Sequence, residues 1–356
     1  MHRRNTLKTV RLVISAALFS LAIYIGTSNP LYTFILIILS LILLPYPDHR
    51  YGIILRLFAA VLTGIYAYFI WLPQYSSPYS FENNLTVHFI DTGQSESELV
   101  VLPDGKIMLI DAGDFDDGPV VTAYLKKLNI TRIDYLIGTH PHMDHIGGMY
   151  DIFDHFDVQN VYLGYYPENI YIENPWALES FNAKSRAEGR KVTAAEEGTV
   201  IAETDEYKAA VLSPSRTLES DDLNQYSAII KVSFGKTAFL FTGDAGRAAE
   251  STILDRDLKA DVLKVGHHGS YDATSDEFLD EVDPDYAVIL VGWHNEYGLP
   301  NVNVLTRLHK RAETYRTDYH GTIIIESDGN RIVSVTKERE YHGQDAQTSA
   351  PVSAAG

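Results

Sequence analysis

Four side chains able to bind a metal fall within the short run Thr139-His140-Pro141-His142-Met143-Asp144-His145. In an extended segment, residues two apart point to the same side, so His140 and His142 can reach one ion together. Asp144 and His145 follow where the chain turns into Ile146-Gly147-Gly148, and can reach a second point a few ångströms away. The 356 residues include no cysteine, which excludes a thiolate metal site, a cysteine nucleophile and a disulfide framework. Any metal is therefore held by His, Asp or Glu. That donor set suits zinc, with manganese or iron as alternatives.

The elements that must position this run can be read around it. Strand patterns run over Leu85 to Ile90, Glu98 to Leu102 and Lys106 to Ile110, with the turn Pro103-Asp104-Gly105 between the last two. Pro119 to Leu128 reads as a helix with proline in its first turn, and Ile133 to Gly138 as the buried strand that leads into the histidines. Further strands are expected at Asn160 to Leu163, Ala209 to Leu212, Ser227 to Phe234, Ala238 to Thr242, Val262 to Val265, Tyr286 to Val291 and Thr322 to Glu326. Helices are expected at Arg247 to Leu254, Asp276 to Glu281 and Val302 to Arg311. Meandering strands that give way to alternating strands and helices imply an α/β fold, with sheets stacked between helical layers.

Several stretches, in order, then resemble the metallo-β-lactamase superfamily, and more narrowly the metallo-hydrolase domain of ComEC-type competence (DNA-uptake) proteins. Besides the His-x-His-x-Asp-His run they are Phe89-Ile90-Asp91-Thr92-Gly93-Gln94, Leu109-Ile110-Asp111-Ala112-Gly113, Phe241-Thr242-Gly243-Asp244, Leu263-Lys264-Val265-Gly266-His267-His268-Gly269-Ser270 and Tyr315-Arg316-Thr317-Asp318. The resemblance covers residues 85 to 327. It implies a four-layer αβ/βα sandwich with two divalent metals, zinc or else manganese, at one edge between the sheets. By the same resemblance His140 and His142 are ligands of the first metal and Asp144 and His145 of the second. Asp244 is the carboxylate bridging both. One of His267 and His268 is the last ligand, and the other is a candidate leaving-group acid. Asp144, Asp244 and His268 form the catalytic set. Asp111 orients the site, Asp91 is a pocket residue, and Lys264 is a surface or supporting residue.

The chain also departs from these patterns. The wider superfamily has a further histidine where Asn224-Gln225-Tyr226-Ser227 stands, which leaves the first metal short of one ligand. The ComEC-type pattern Gly-Gln-Gly-Asp-Ser is Gly93-Gln94-Ser95-Glu96-Ser97, and its Tyr-Gly-His-Pro is Tyr297-Gly298-Leu299-Pro300. His88, His155, His294 and His309 read as solvated or structurally bonded, with His320 the exception beside Asp318. Asp114, Asp116 and Asp117 read as a solvated turn.

The first 73 residues differ in kind. Apolar runs at Val10 to Gly26, Leu31 to Leu44 and Ile53 to Pro73 suggest a membrane anchor of about three helices, since a span needs about 20 residues. Arg3, Arg4, Lys8 and Arg11 open the first run and Arg50 and Arg56 bracket the start of the third, placing these ends in the cytoplasm. Three spans put the following domain outside the cell; if the second run does not cross, it falls inside. Residues 74–84 read as a linker, 85–336 as the hydrolase domain and 337–356 as a disordered tail.

Charge bears on the substrate. The formal net charge of the chain is −18, and since residues 1 to 73 hold six bases and one acid, the remainder carries −23. That is unfavourable for non-specific nucleic-acid binding. The expected function is a membrane-anchored metal-dependent hydrolase, a phosphodiesterase or nuclease acting on DNA through a metal-bound hydroxide, with a separate DNA-uptake channel as partner. The alternatives are a lactone, ester or β-lactam hydrolase, and a non-catalytic DNA-uptake accessory.

Overall fold

The computed structural model of the chain describes residues 14–18, 20, 40 and 83–339. The chain divides after Ser80 into two units, and the second carries the fold. Apart from residues 14–18, 20 and 40, the expected spans lie outside the described residues, as does nearly all of the expected linker. Among the described residues, no helix is long and apolar enough to cross a membrane.

Two sheets face each other. The first joins β1 (Leu85–Phe89), β2 (Glu98–Val101), β3 (Ile107–Ile110), β4 (Arg132–Gly138), β5 (Asp157–Gly164) and β6 (Val192–Ala195). It is completed on the other side of β1 by β14 (Ile323–Ser327) and β15 (Ile332–Lys337), in the order β15-β14-β1-β2-β3-β4-β5-β6. The second joins β7 (Val200–Glu203), β8 (Tyr207–Ser213), β9 (Ile229–Phe234), β10 (Thr237–Phe241), β11 (Val262–Lys264), β12 (Tyr286–Ile289) and β13 (Glu313–Arg316), in the order β13-β12-β11-β10-β9-β8-β7.

Period-two alternation explains the layering. On β1, Leu85, Val87 and Phe89 enter the core between the sheets, together with Phe239 and Phe241 of β10. The intervening Ala238 and Leu240 join a second cluster with Leu263, Phe278, Leu279 and Leu308. That outer cluster is built by α5 (Arg247–Ser251), α6 (Asp276–Val282) and α7 (Val302–His309). Each fully buried Phe or Leu contributes roughly 1.5–3 kcal/mol relative to exposure, so alternation with both faces apolar demands cover on both sides. On the first sheet, α1 (Gly118–Lys127) is pinned to β1 by the bond between His88 Nδ1 and the Tyr124 hydroxyl at 2.8 Å. It packs on α3 (Met149–His155), which packs on α4 (Pro175–Ala187). The result is the α/β sandwich of two sheets expected from the sequence. The helices α3 and α4 and the strands β6, β7, β13 and β15 had no clear sequence signal. All four of these strands end their sheets. The expected tail begins too early: Lys337 lies in β15, and the Glu338 amide donates to the Thr322 carbonyl at 3.0 Å.

Strand direction brings the chemistry together. β3, β4 and β5 run parallel, as do β10, β11, β12 and β13. The loops after their carboxyl ends therefore open on one edge of the sandwich, the usual place for a ligand site in parallel sheets. Asp111 follows β3, His140 follows β4, Asp244 follows β10 and His267 follows β11.

Candidate metal centre

The run after β4 is held by Thr139 and Asp111. The Asp111 carboxylate accepts from the Thr139 amide at 2.8 Å, from the Thr139 hydroxyl at 2.6 Å and from His145 Nδ1 at 2.7 Å. Asp111 is fully buried and adopts φ +53°, a conformation that Asp tolerates better than most residues. His142 caps the short helix α2 (Met143–Ile146), which carries Asp144 and His145. Its exit is packed tightly: a Cβ on Gly148 would sit 2.1 Å from the Ala112 carbonyl oxygen, so only glycine fits.

Each buried histidine is turned by a partner. His145 donates through Nδ1 to Asp111, which leaves Nε2 facing Asp244 Oδ2 at 3.3 Å and Asp144 Oδ2 at 3.8 Å. His268 bonds through Nδ1 to the Leu290 carbonyl at 2.9 Å, and its Nε2 faces Asp144 Oδ2 at 3.6 Å and Asp244 Oδ1 at 3.7 Å. His140 Nδ1 lies 3.1 Å from the Ser227 hydroxyl, and its Nε2 meets His142 Nδ1 at 2.8 Å. Anchoring one ring nitrogen in this way presents the other as a metal ligand.

Asp244 stands at the centre. Gly243 before it has φ +49°, and a Cβ there would press on Ser227 and Thr139 at 3.0 Å. The Asp244 amide donates to the Ser227 hydroxyl at 3.1 Å, so Ser227 positions both His140 and the central carboxylate. His267 and His268 have φ +47° and +50°, the left-handed region, at a cost of order 1–3 kcal/mol each. That strained turn aims the two rings at different oxygens of Asp244. His267 Nε2 lies 3.7 Å from Oδ2 and 3.3 Å from the Asn224 amide nitrogen, and His267 Nδ1 lies 3.5 Å from Asp272 Oδ1.

The electrostatics fit a cation. Burial would raise the Asp244 carboxyl, but His145, His268 and His267 outweigh it and hold it well below the carboxylate range. Burial would lower His145, yet Asp244, Asp111 and Asp144 raise it well above the ordinary value. His267, opposed by burial but faced by Asp244 and Asp272, is pushed up to about 9. His140 is driven well below its ordinary value by burial and then by the neighbouring His145 and His142, which together outweigh Asp244. Buried His145 Nε2, Asp244 Oδ1, His268 Nε2 and Glu96 Oε1 have no hydrogen-bond partner. Orphaned buried groups of this kind need an explanation, and a divalent ion among imidazole and carboxylate donors supplies one.

The structure thus brings His140, His142, Asp144, His145, Asp244, His267 and His268 to one cavity edge. His142, Asp144, Asp244, His267 and His268 line a cavity of about 670 Å³, together with Asn224 and Leu299. The histidine pair is resolved by place: buried His268 faces Asp144, whereas part-exposed His267 faces Asn224. Asn224 stands on the side where a histidine is lacking.

Other expectations are corrected. Of the two readings of Lys264, surface or supporting, the structure takes the second: it is fully buried, because β11 runs through the core and its ammonium is ion-paired with Glu96. Asp91 turns from the cavity to Arg339 Nη2 at 2.7 Å. Asp114 and Asp117 are not simply solvated but line the cavity. His320 is spent on the Arg316 backbone, beside a different cleft. Glu96 and Ser227 entered the sequence reading only as members of the departing stretches Gly93 to Ser97 and Asn224 to Ser227, with no role of their own, and Asp272 left no signal.

Comparison with known proteins agrees with this geometry. Residues 90–293 match the metallo-beta-lactamase superfamily. ComE operon protein 3 of Bacillus subtilis (strain 168) is 30% identical over 258 residues, 67% of this chain and 32% of that protein. Competence protein ComA of Neisseria gonorrhoeae is 30% identical over 253 residues, 68% of this chain and 32% of that protein. The chain therefore spans about a third of the length of these relatives. A solved structure, the metallo-beta-lactamase fold protein YhfI from Bacillus subtilis, aligns at 13% identity and TM-score 0.47, over 69% of this chain and 100% of that one. With more than half of its length inside the family match and the family's His and Asp runs gathered at one sheet edge, the chain belongs to the metallo-β-lactamase superfamily and resembles the ComEC-type competence proteins.

Proposed function

We propose that this chain is a membrane-anchored, metal-dependent phosphodiesterase that cleaves single-stranded nucleic acid outside the cell. The observation that supports it best is the gathering of unpartnered ligand atoms around Asp244, at the floor of an open cavity flanked by exposed aromatic rings. Divalent metals bound there would bring water to an ionised, nucleophilic state near neutral pH and offset charge on the phosphoryl oxygens. The chain's own residues do the rest. His140 and His142 hold one side of the centre, while Asp144, His145 and His268 hold the other, with Asp244 between. Asp144, part-exposed and 3.6 Å from His268, accepts the proton of the attacking water and orients it. His267, reachable from the cavity, gives a proton to the leaving oxygen.

The aromatic rim suits an unpaired strand. Phe115 contacts Trp176 at 5.9 Å between ring centroids and Tyr150 at 6.0 Å, and all three are substantially exposed. Phe115 follows Asp114 and Trp176 follows Pro175 and Asn174, so the platform adjoins residues that line the cavity. Tyr297, also exposed, stands among the lining residues. Stacking is worth about 1–3 kcal/mol per base and tolerates any sequence. Single-stranded DNA reaches this surface unaided, whereas a duplex keeps its bases stacked inside.

One observation favours a second reading. Asp114, Asp117, Glu173 and Glu296 line the cavity, and among the described residues no Lys or Arg does. That rim is unfavourable to a polyanion and tolerant of a neutral ester, lactone or lactam. The test uses the full-length chain loaded with zinc or manganese, given single-stranded DNA, bis-p-nitrophenyl phosphate and a chromogenic lactam. Turnover of the first two supports the proposal; turnover of the lactam alone replaces it with the second reading, and none at all leaves only an accessory role.

A further inference from the structure

Behind the second half of the centre lies a buried charged group that neither the fold nor the proposed reaction has used. Glu96, Glu98 and Lys264 are all completely buried. Lys264 donates to the Gly243 carbonyl at 2.9 Å and to Glu96 Oε2. Its partner's other oxygen, Oε1, has no hydrogen bond. An unmet buried acceptor costs about 1–3 kcal/mol and a charged one more, so this oxygen calls for a partner.

A Glu96 oxygen reaches the metal centre. One ligand atom from each of Glu96, His145, Asp244 and His268 can be chosen so that all lie within 4.8 Å of one another. The backbone holds Glu96 there firmly. Its amide donates to the Asp144 carbonyl at 3.1 Å, and its own carbonyl accepts from Gly113 at 2.8 Å. It is thus stitched to the loop that bears Asp144 and to the turn that follows Asp111. Two carboxylates, Glu96 and Asp244, consequently sit close together in a buried site beside one lysine. Like charges so placed repel strongly in a low-dielectric interior unless a further cation lies between them.

We infer that Glu96 is a ligand of the second metal, adding a carboxylate oxygen to Asp144, His145, Asp244 and His268, with Lys264 gripping its other oxygen so that the ligand cannot turn away. This rests on reading the cavity as a metal centre. Glu98 serves as an internal control. It shares the same buried group and its oxygens are likewise unpartnered, but it does not belong to the converging set.

The test is metal binding rather than turnover. The full-length chain is stripped with a chelator, then titrated with cobalt(II), reading visible absorption for coordination number and a competing chelator for affinity. The wild type should bind two equivalents, and Glu96→Gln should weaken the second by about 100-fold, the upper end of the 10–100-fold typical of losing an outer partner, so the cobalt bands decide between the two roles. Its cobalt bands should intensify toward those of a lower coordination number, while Glu98→Gln leaves the spectrum unchanged. If Glu96→Gln does not fold, the double variant Glu96→Gln/Lys264→Met removes both charges and is read the same way. Unchanged affinity, or weakened affinity with unchanged bands, would show that Glu96 is only the counter-ion of Lys264 and overturn the inference. A wild type that binds no second equivalent would instead defeat the underlying metal-centre reading.

Discussion

Asp111→Asn tests whether the protein sets the tautomer of His145. The wild-type carboxylate accepts three hydrogen bonds, from the Thr139 amide, the Thr139 hydroxyl and His145 Nδ1, at 2.8, 2.6 and 2.7 Å. Asparagine has nearly the same shape and tolerates the φ of +53° seen here, so the fold is kept. Its Oδ1 must stay toward the Thr139 amide, because the flipped amide would set N–H against N–H. The new NH2 then faces His145 Nδ1, which can only accept. The ring proton moves to Nε2, the atom that faces Asp244 at 3.3 Å, and that nitrogen can no longer bind metal without losing it. Outer-shell changes of this kind cost 10–100-fold in affinity, or about 1.4–2.7 kcal/mol. Competition with a chromophoric chelator should show one zinc equivalent weakened by that factor and the other within about twofold, the two sites being held by different histidines. Equal weakening of both, or none, would refute the argument that Asp111 acts through His145 alone.

The other predictions are simpler. Asn224→His should tighten the first metal by about tenfold, because Asn224 lies 3.3 Å from His267 Nε2 with its own Oδ1 unpartnered; isothermal titration reads this, and unchanged affinity counts against it. Lys264→Met should destabilise the metal-free chain by about 3–5 kcal/mol, since it strands the buried Glu96 carboxylate, and thermal unfolding in chelator should drop by roughly 10 °C. Zinc affinity should climb with pH until about 9, where His267 loses its proton, because the protonated ring beside Asp244 repels an incoming cation. The same raised value means that the His267 contribution to metal-free stability is full below about 6.5 and lost as pH rises through about 9, so wild type and His267→Asn should converge in melting temperature by pH 10.

The run from His140 to His145 was legible because ligand types at two-residue spacing sit directly after a buried strand, and neither feature needs tertiary knowledge. Asp244 was legible only through resemblance, since a single aspartate after a strand carries no signal of its own. The identity of the histidine facing Asp144 could not be read, because His267 and His268 both take left-handed backbone and only packing against the Leu290 carbonyl separates them. Lys264 was left between two readings because a lysine suggests solvent; what decides this is a partner, Glu96, 168 positions away along the chain. The missing helices α3 and α4 share a cause. Their apolar stripes are short, with only Met149, Ile152 and Phe153 buried in the first and Ala177, Phe181 and Ser185 in the second, so their stability comes from tertiary docking, α3 on α1 and α4 on α3.

The central claim is that this sheet edge holds two divalent metals, one between His140 and His142 and one among Asp144, His145, Asp244 and His268. Anomalous diffraction at the zinc edge, on crystals of zinc-loaded protein, tests it most directly. The account predicts two peaks about 3.5–4 Å apart on either side of Asp244. A single peak away from Asp244, or none at the edge while the protein is folded, would contradict it.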